Sequence, residues 1–245
     1  MTKKKKQVIN VEAEPLETET PKQDFKILEA FKALEVPKQD FKVLVVLAPS
    51  LEEHLKFREQ LLAAVERNMR GFSFDLDVSD EHRLGWGHVV NDLNRSVEKM
   101  LSEGYDYMWI VEADTIPPDN AFTELLRDDV DLASAVIPFH KMQNVKANAV
   151  YSRFAIAARV EVPDALGPFH LIRLDEVKGR KISDPCTLYS STGCFLTKRR
   201  VWEAGLRFKY FEGGSGFDMI LWRDIRMAGF SAVLNGNVVC EHPGE

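Results

Sequence analysis

Residues 109–120 read WIVEADTIPPDN. An apolar run ends on Glu112 and Asp114, one residue apart, and Pro117 and Pro118 follow at once. In an extended chain, side chains at i and i+2 point to the same side, so the two carboxylates share a face. Placed together without a cation they repel, and one of them holds a proton. A divalent cation removes that conflict, and carboxylate oxygens suit Mg2+ or Mn2+, which keep open positions for phosphates. The prolines stop the strand and fix the exit of the chain. PPDNAFTELL then starts a helix, with Asp119 as its expected N-cap. Acids on the solvated rim of an ordinary strand–turn–helix junction look the same over two residues, so the surrounding sequence decides.

Upstream, strand and helix signals alternate. FKVLVVLAPS (41–50) predicts a buried strand, and LEEHLKFREQLLAAVERNMR (51–70) a helix with acids at its start and Arg near its end. GFSFDLDVSD (71–80) alternates as a strand does. GHVVNDLNRSVEKMLSEG (87–104) predicts a helix closed by Gly104, and YDYMWIV (105–111) a third strand. Such alternation predicts an α/β fold whose parallel sheet carries helices on its faces. Ligands of these sheets sit at the carboxyl ends of the strands, where Glu112 and Asp114 fall.

Downstream the order changes. DNAFTELLRDD (119–129) predicts a short helix, and VDLASAVIPFH, NAVYSRFAIAARVEV, HLIRLDEV and CTLYSSTGCFLTK predict strands with loops between them. RRVWEAG (199–205) and GFDMILWRDIRMAG (216–229) predict helices. SAVLNGNVVCEH (231–242) predicts a final hairpin with Asn-Gly as its turn. The second half is therefore mixed and rich in strands.

Residues 1–40 are rich in Lys, Glu, Thr and Pro, and PKQDFKIL (21–28) returns as PKQDFKVL (37–44). The expected organisation is a disordered tail over 1–20, a short helical extension over 21–40 and one domain over 41–245. Self-association through 22–36, where Phe25, Leu28, Phe31 and Leu34 share a helical face, stays open. The chain has 245 residues, 45% hydrophobic and 29% charged, with a net charge of −6. An acidic balance argues against a nucleic-acid partner. No apolar run approaches the roughly 20 residues that span a bilayer, so no transmembrane segment is expected. The basic start lacks the apolar stretch of a secretory signal. Three cysteines, Cys186, Cys194 and Cys240, without C-x-x-C spacing, point to a reduced, cytoplasmic setting.

On these residues the sequence resembles the GT-A-fold glycosyltransferases, particularly the large family-2 type. YMWIVEADTIPPDNAFTELL (107–126) is similar to their metal-binding D-x-D segment, here written E-x-D, and the resemblance runs over about residues 42–242. It implies a Rossmann-like, mostly parallel sheet and a nucleotide-sugar donor, UDP- or GDP-linked, held with Mn2+ or Mg2+. The acceptor stays unknown. In the family the second acid is usually the direct metal ligand, which matches Asp114, with Glu112 beside it and Ala113 between them. STGCFLTKRRVWEAGLRF (191–208) resembles the segment lining the acceptor side of the sugar pocket, with Thr192 and Gly193 in its turn. GFDMILWRDIRMAGF (216–230) resembles the family's E-D-x-x-x-x-x-R-x-R-x-x-G helix; Asp218 falls on its Asp, the general base of inverting members, and Phe217 stands where that pattern has Glu. VVCEH places His242 after the last strand, where a histidine completes the metal site in several GT-A families.

The nucleotide side is less marked. Pro49 in the turn after the first strand, Asp77 at the end of the second, and Arg83 and Asn91 in the following loop and helix are the expected donor contacts. Capping and packing account for Arg83 and Asn91 nearly as well, and an acid in the first turn, such as Asp218, also stabilises a helix dipole. The remaining histidines, at 54, 82, 88, 140 and 170, show no ligand spacing. A sugar nucleotidyltransferase needs a glycine-rich basic loop after its first strand, and LAPSLEEHLKF (47–57) offers neither glycines nor an early Lys. A catalytically idle module that binds nucleotide sugars stays open, because Phe217 and Glu112 depart from the pattern. No G-x-G-x-x-G follows the first strand, which sets a dinucleotide-binding dehydrogenase aside.

Overall fold

VLVVLA forms β1 (Val43–Ala48), and all six of its residues are buried. A strand apolar on both faces belongs in the middle of a sheet covered on both sides. The computed structural model describes residues 41–48, 56–78, 86–139, 153–160, 170–183, 188–210 and 216–243. They all belong to the unit Val36–Glu245. The expected tail, the helical extension and its self-association, Pro49 and Arg83 lie outside the described residues.

Around β1 the chain lays down α1 (Arg58–Met69), β2 (Phe74–Val78), α2 (Trp86–Glu103), β3 (Tyr107–Glu112), α3 (Ala121–Leu126) and β4 (Leu132–Val136). Then follow β5 (Phe154–Arg159), β6 (His170–Arg173), α4 (Leu174–Val177), β7 (Lys181–Ile182), β8 (Leu188–Ser190), β9 (Cys194–Lys198), α5 (Arg199–Glu203), α6 (Phe217–Met227) and β10 (Ala232–Val239). A seven-stranded sheet has the order β2-β1-β3-β9-β4-β10-β7, and a three-stranded antiparallel sheet the order β6-β5-β8. β1 is parallel to β2 and β3, and β10 to β4. β9 runs antiparallel to both β3 and β4, so those two share a direction. Strands β1, β2, β3, β4 and β10 therefore present their carboxyl ends at one edge. The fold is mixed α/β, with helices flanking the large sheet.

Alternation within the strands divides the core. Leu44, Val46, Met108 and Ile110 join Val90, Leu93, Val97 and Met100 of α2 in one cluster. On the other face, Trp109 packs on Phe122 of α3 with ring centroids 5.4 Å apart. Each such side chain contributes about 1.5–3 kcal/mol when taken out of water. Gly104 closes α2 at φ 79°, a left-handed conformation that glycine adopts without strain.

Several expectations need correction. HLIRLDEV is not one strand: β6 ends at Arg173, and LDEV makes the single helical turn α4, where Lys178 N–H donates to Leu174 O at 2.9 Å. Asp175 and Glu176 fall in that first turn, where acids suit the helix dipole. CTLYSSTGCFLTK is two strands in two sheets, broken at Ser191–Gly193. Ser191 N–H donates to Ile156 O of the small sheet at 2.9 Å, while Gly193 O accepts from Glu112 N–H of the large one at 2.8 Å. The Asn-Gly pair makes no hairpin. β10 continues through it, and the register against β4 jumps between Asn235 and Val239. Asn235 is held instead by Asp128 at 2.8 Å, and a Cβ on Gly236 would stand 1.7 Å from Val177 O. Its glycine serves a close approach of backbones, not a turn. Asp119 does not cap α3. Asn120 occupies the N-cap position, and Asp119 pairs with Arg67 at 2.7 Å.

Candidate functional site

The carboxyl edge of the large sheet gathers side chains from separated segments. β3 delivers Glu112 there. Because β9 runs the opposite way, its beginning lies at the same edge, and the Ser191–Gly193 turn sits beside Glu112. Thr192 Oγ1–H donates to Glu112 Oε1 at 2.8 Å, and the two main chains are tied through Gly193 O. Gly193 is required by contact: a Cβ would come within 2.3 Å of Ile137 Cδ1 and 3.0 Å of Thr115 Oγ1. Thr115 N–H then closes a turn on Glu112 O at 3.0 Å.

The next residue, Ile116, exchanges backbone hydrogen bonds with Glu241 at 2.8 and 2.9 Å. This isolated bridge sets Asp114 and His242 side by side, with His242 Nε2 3.4 Å from Asp114 Oδ2. His242 Nδ1 lies 2.7 Å from Pro138 O. A carbonyl only accepts, so Nδ1 carries the hydrogen and Nε2 is the nitrogen turned to the carboxylate. Both side chains are well covered, at 6% and 15% exposure for His242 and Asp114. Asp218 stands at the start of α6, where Met219 N–H donates to its Oδ1 at 2.8 Å.

The acids feel one another. Glu112 is pushed up to about 8, first by burial, then by the charge of Asp114, with Asp218 adding to the effect and the Thr192 hydroxyl opposing it. Burial raises Asp218 to about 6, against the pull of the Met219 N–H and its own. The donor chemistry fits a divalent cation: two carboxylates and an imidazole whose far nitrogen is fixed by a carbonyl, the usual support for a metal-ligating histidine. Among the described residues no three His, Cys, Asp or Glu side chains already enclose one point as a ligand set. Asp114 and His242 are the adjacent pair.

Of the residues expected on the nucleotide side, Asp77, next to last in β2, lies in a cleft lined by Val46, Leu47, Asp92, Leu93, Arg95 and Ser96. Its carboxylate accepts from Ser96 Oγ at 2.7 Å and from Lys99 Nζ at 3.3 Å, which ties β2 to α2. Asn91 is exposed on α2. Its neighbour Asn94 has the defined role, holding both the N–H and the carbonyl of Phe208 at 2.9 Å. Ala113 is partly exposed between the two acids. Sequence reasoning missed Thr115, which is fully buried against Gly193 and whose hydroxyl has no hydrogen-bond partner among the described residues. It also missed Pro138, whose carbonyl orients His242; a backbone acceptor leaves no mark in residue type.

Neither a family model nor a curated protein sequence matches this chain. Solved structures do. A197 from STIV matches with a TM-score of 0.51 at 11% identity, covering 83% of this chain and 85% of that one. That likeness is one of fold. The inositol-1-phosphate CTP transferase from T. maritima matches with a TM-score of 0.40 at 17% identity, over 84% of this chain and 91% of that one.

Proposed function

We propose that this chain is a metal-dependent glycosyltransferase of the GT-A fold, family-2-like, moving a sugar from a UDP- or GDP-linked donor to an acceptor hydroxyl. The observation that carries the proposal is the meeting of Glu112, Asp114, Thr192, Asp218 and His242 at one sheet edge. Transfer breaks the bond between the sugar and the diphosphate while the acceptor oxygen forms a new one. A divalent cation held by Asp114 and His242, with Glu112 beside them, would neutralise the departing diphosphate as a Lewis acid. Thr192 fixes the rotamer of Glu112, and Gly193 lets the turn approach that closely. Asp218, with a pKa near 6, is mostly ionised at neutral pH yet basic enough to take the acceptor's proton.

A second reading is a module that binds nucleotide sugars without turnover. Its support is Phe217, buried in the core with its ring centroid 6.1 Å from Phe208, where the family pattern has an acid. Release of UDP or GDP from nucleotide sugars, with and without Mn2+, separates the two. The glycosyltransferase reading expects Mn2+-dependent release. It also expects Asp218→Asn to lose about 10²–10⁴ in rate while keeping Mn2+-dependent nucleotide binding. Tight binding with no release from any donor would leave the module reading standing.

A further inference from the structure

The turn that meets Glu112 carries a second hydroxyl that the proposed chemistry does not use. Ser191, Thr192 and Gly193 join β8 of the small sheet to β9 of the large one, so no strand ladder runs through them. Ser191 and Thr192 are only 7% and 1% exposed. Buried backbone between two ladders must find other partners. Ser191 N–H donates to Ile156 O at 2.9 Å. Gly193 N–H donates to Ser191 Oγ at 3.0 Å. A serine two residues before a buried N–H is a local acceptor that alanine cannot replace.

Thr192 therefore stands between two held peptides. On its amino side, Ser134 Oγ lies 3.3 Å from Ser191 O. On its carboxyl side, the Gly193 N–H is held by Ser191 Oγ. The planes of those two peptides set φ and ψ of Thr192, and with them the direction of its side chain. That side chain reaches Glu112: Thr192 Oγ1–H donates to Glu112 Oε1 at 2.8 Å, and Gly193 O accepts from Glu112 N–H at 2.8 Å. The turn has no room to rearrange on the side of Gly193. A Cβ there would stand 2.3 Å from Ile137 Cδ1, 3.0 Å from Thr115 Oγ1 and 3.3 Å from Ser191 Oγ.

We propose that Ser191 is a positioning residue of this edge: acting through Thr192 and Gly193, its hydroxyl fixes the aim of the Glu112 carboxylate beside the cation. The cation's part in this rests on the metal-dependent reading of the site. Loss of a group that orients a metal's ligands typically weakens the metal by about 10–100-fold. A mere prop of the fold would behave otherwise, and Thr197 supplies the comparison. It lies in β9 too, opposite Met108, and is fully buried. Its hydroxyl accepts from Trp202 Nε1–H at 2.9 Å. Thr197→Val leaves that indole N–H unpaired and loosens the core without touching the turn.

The test uses the full chain, with Mn2+ alone as the probe and the free ion read by electron paramagnetic resonance. Ser191→Ala should weaken Mn2+ binding by about tenfold or more, while Thr197→Val leaves it within about twofold even at a lower melting temperature. Without metal, amide exchange at Glu112 and Gly193 should quicken in Ser191→Ala relative to Met108, Trp109 and Ile110 of β3. Ser191→Cys serves if Ser191→Ala fails to fold, since a thiol is a weaker acceptor and gives a smaller loss in the same direction. Unchanged Mn2+ affinity in the Ser191 variants, equal weakening by Thr197→Val, or exchange that quickens alike along β3 overturns the proposal. Asp114→Ala reports the reading of the site separately. Wild-type protein that binds no Mn2+, or whose binding survives the loss of Asp114, refutes the metal-dependent reading and the role of Ser191 with it. Binding that is lost with Asp114 but untouched by Ser191→Ala refutes the role of Ser191 alone.

Discussion

Glu112 is the residue whose surroundings say most. Burial and Asp114 lift it from near 4.5 to about 8, so the folded chain keeps a proton that the unfolded chain gives up. Between those values stability falls as pH rises, because the native state binds more protons than the unfolded one. Asp218 acts in the same direction up to about 6. Glu112→Gln keeps an acceptor for the Thr192 hydroxyl and removes the charge. We expect it to raise stability near pH 8 by about 1–3 kcal/mol and to leave it unchanged near pH 4. Urea denaturation at the two pH values checks this, and a variant less stable than wild type at pH 8 refutes the electrostatic account. The positions of Glu112, Asp114 and His242 at the sheet edge were legible because each lies at or just after the end of an apolar strand; the strand itself stops at Glu112, and Asp114 stands in the turn that follows. The grip of Asn94 on Phe208, one helical turn from the exposed Asn91, was not, since it depends on a segment far along the chain.

At the scale of elements, the first half was readable because each strand and helix signals itself by its own period. Direction and partner are long-range properties: the mostly parallel sheet with a mixed second half was legible, but the partner of each later strand was not. Nothing in CFLTK announces that β9 inserts antiparallel between β3 and β4, yet that reversal brings Thr192 and Gly193 to Glu112. The Asn-Gly pair in β10 is the sharpest case, since the local turn rule lost to tertiary contact. Gly236 faces Val177 O and Arg180 O at distances that admit no side chain, while its own N–H donates to Arg180 O at 2.7 Å. Had the pair been a hairpin turn, Gly236→Ala would cost little beyond backbone preference. Packed as it is, the variant should lose about 2–3 kcal/mol or more, read as a lower denaturation midpoint. Hydrogen exchange should localise the loosening to α4 and β7. A neutral substitution would contradict the close approach.

For the whole molecule, the arrangement concentrates mutually repelling groups at one edge of the large sheet. Such an edge costs stability when empty of cations, and the cost grows as its acids ionise. On the metal-dependent reading proposed above, protons and the divalent cation would compete for the same oxygens, so cation binding should strengthen as pH rises. A ligand at about 100 times its dissociation constant stabilises the native state by about 2.7 kcal/mol. In a domain of this size that corresponds to roughly 5–10 °C in melting temperature. We therefore expect Mn2+ with a nucleoside diphosphate to raise the melting temperature by about that much near pH 8, and far less near pH 5.5. Asp114→Ala should abolish the gain at both values. His242→Ala should reduce it, since it removes the imidazole set against that carboxylate. A shift independent of pH, or one that survives the loss of Asp114, would mean that the cation and its diphosphate are held somewhere other than this edge.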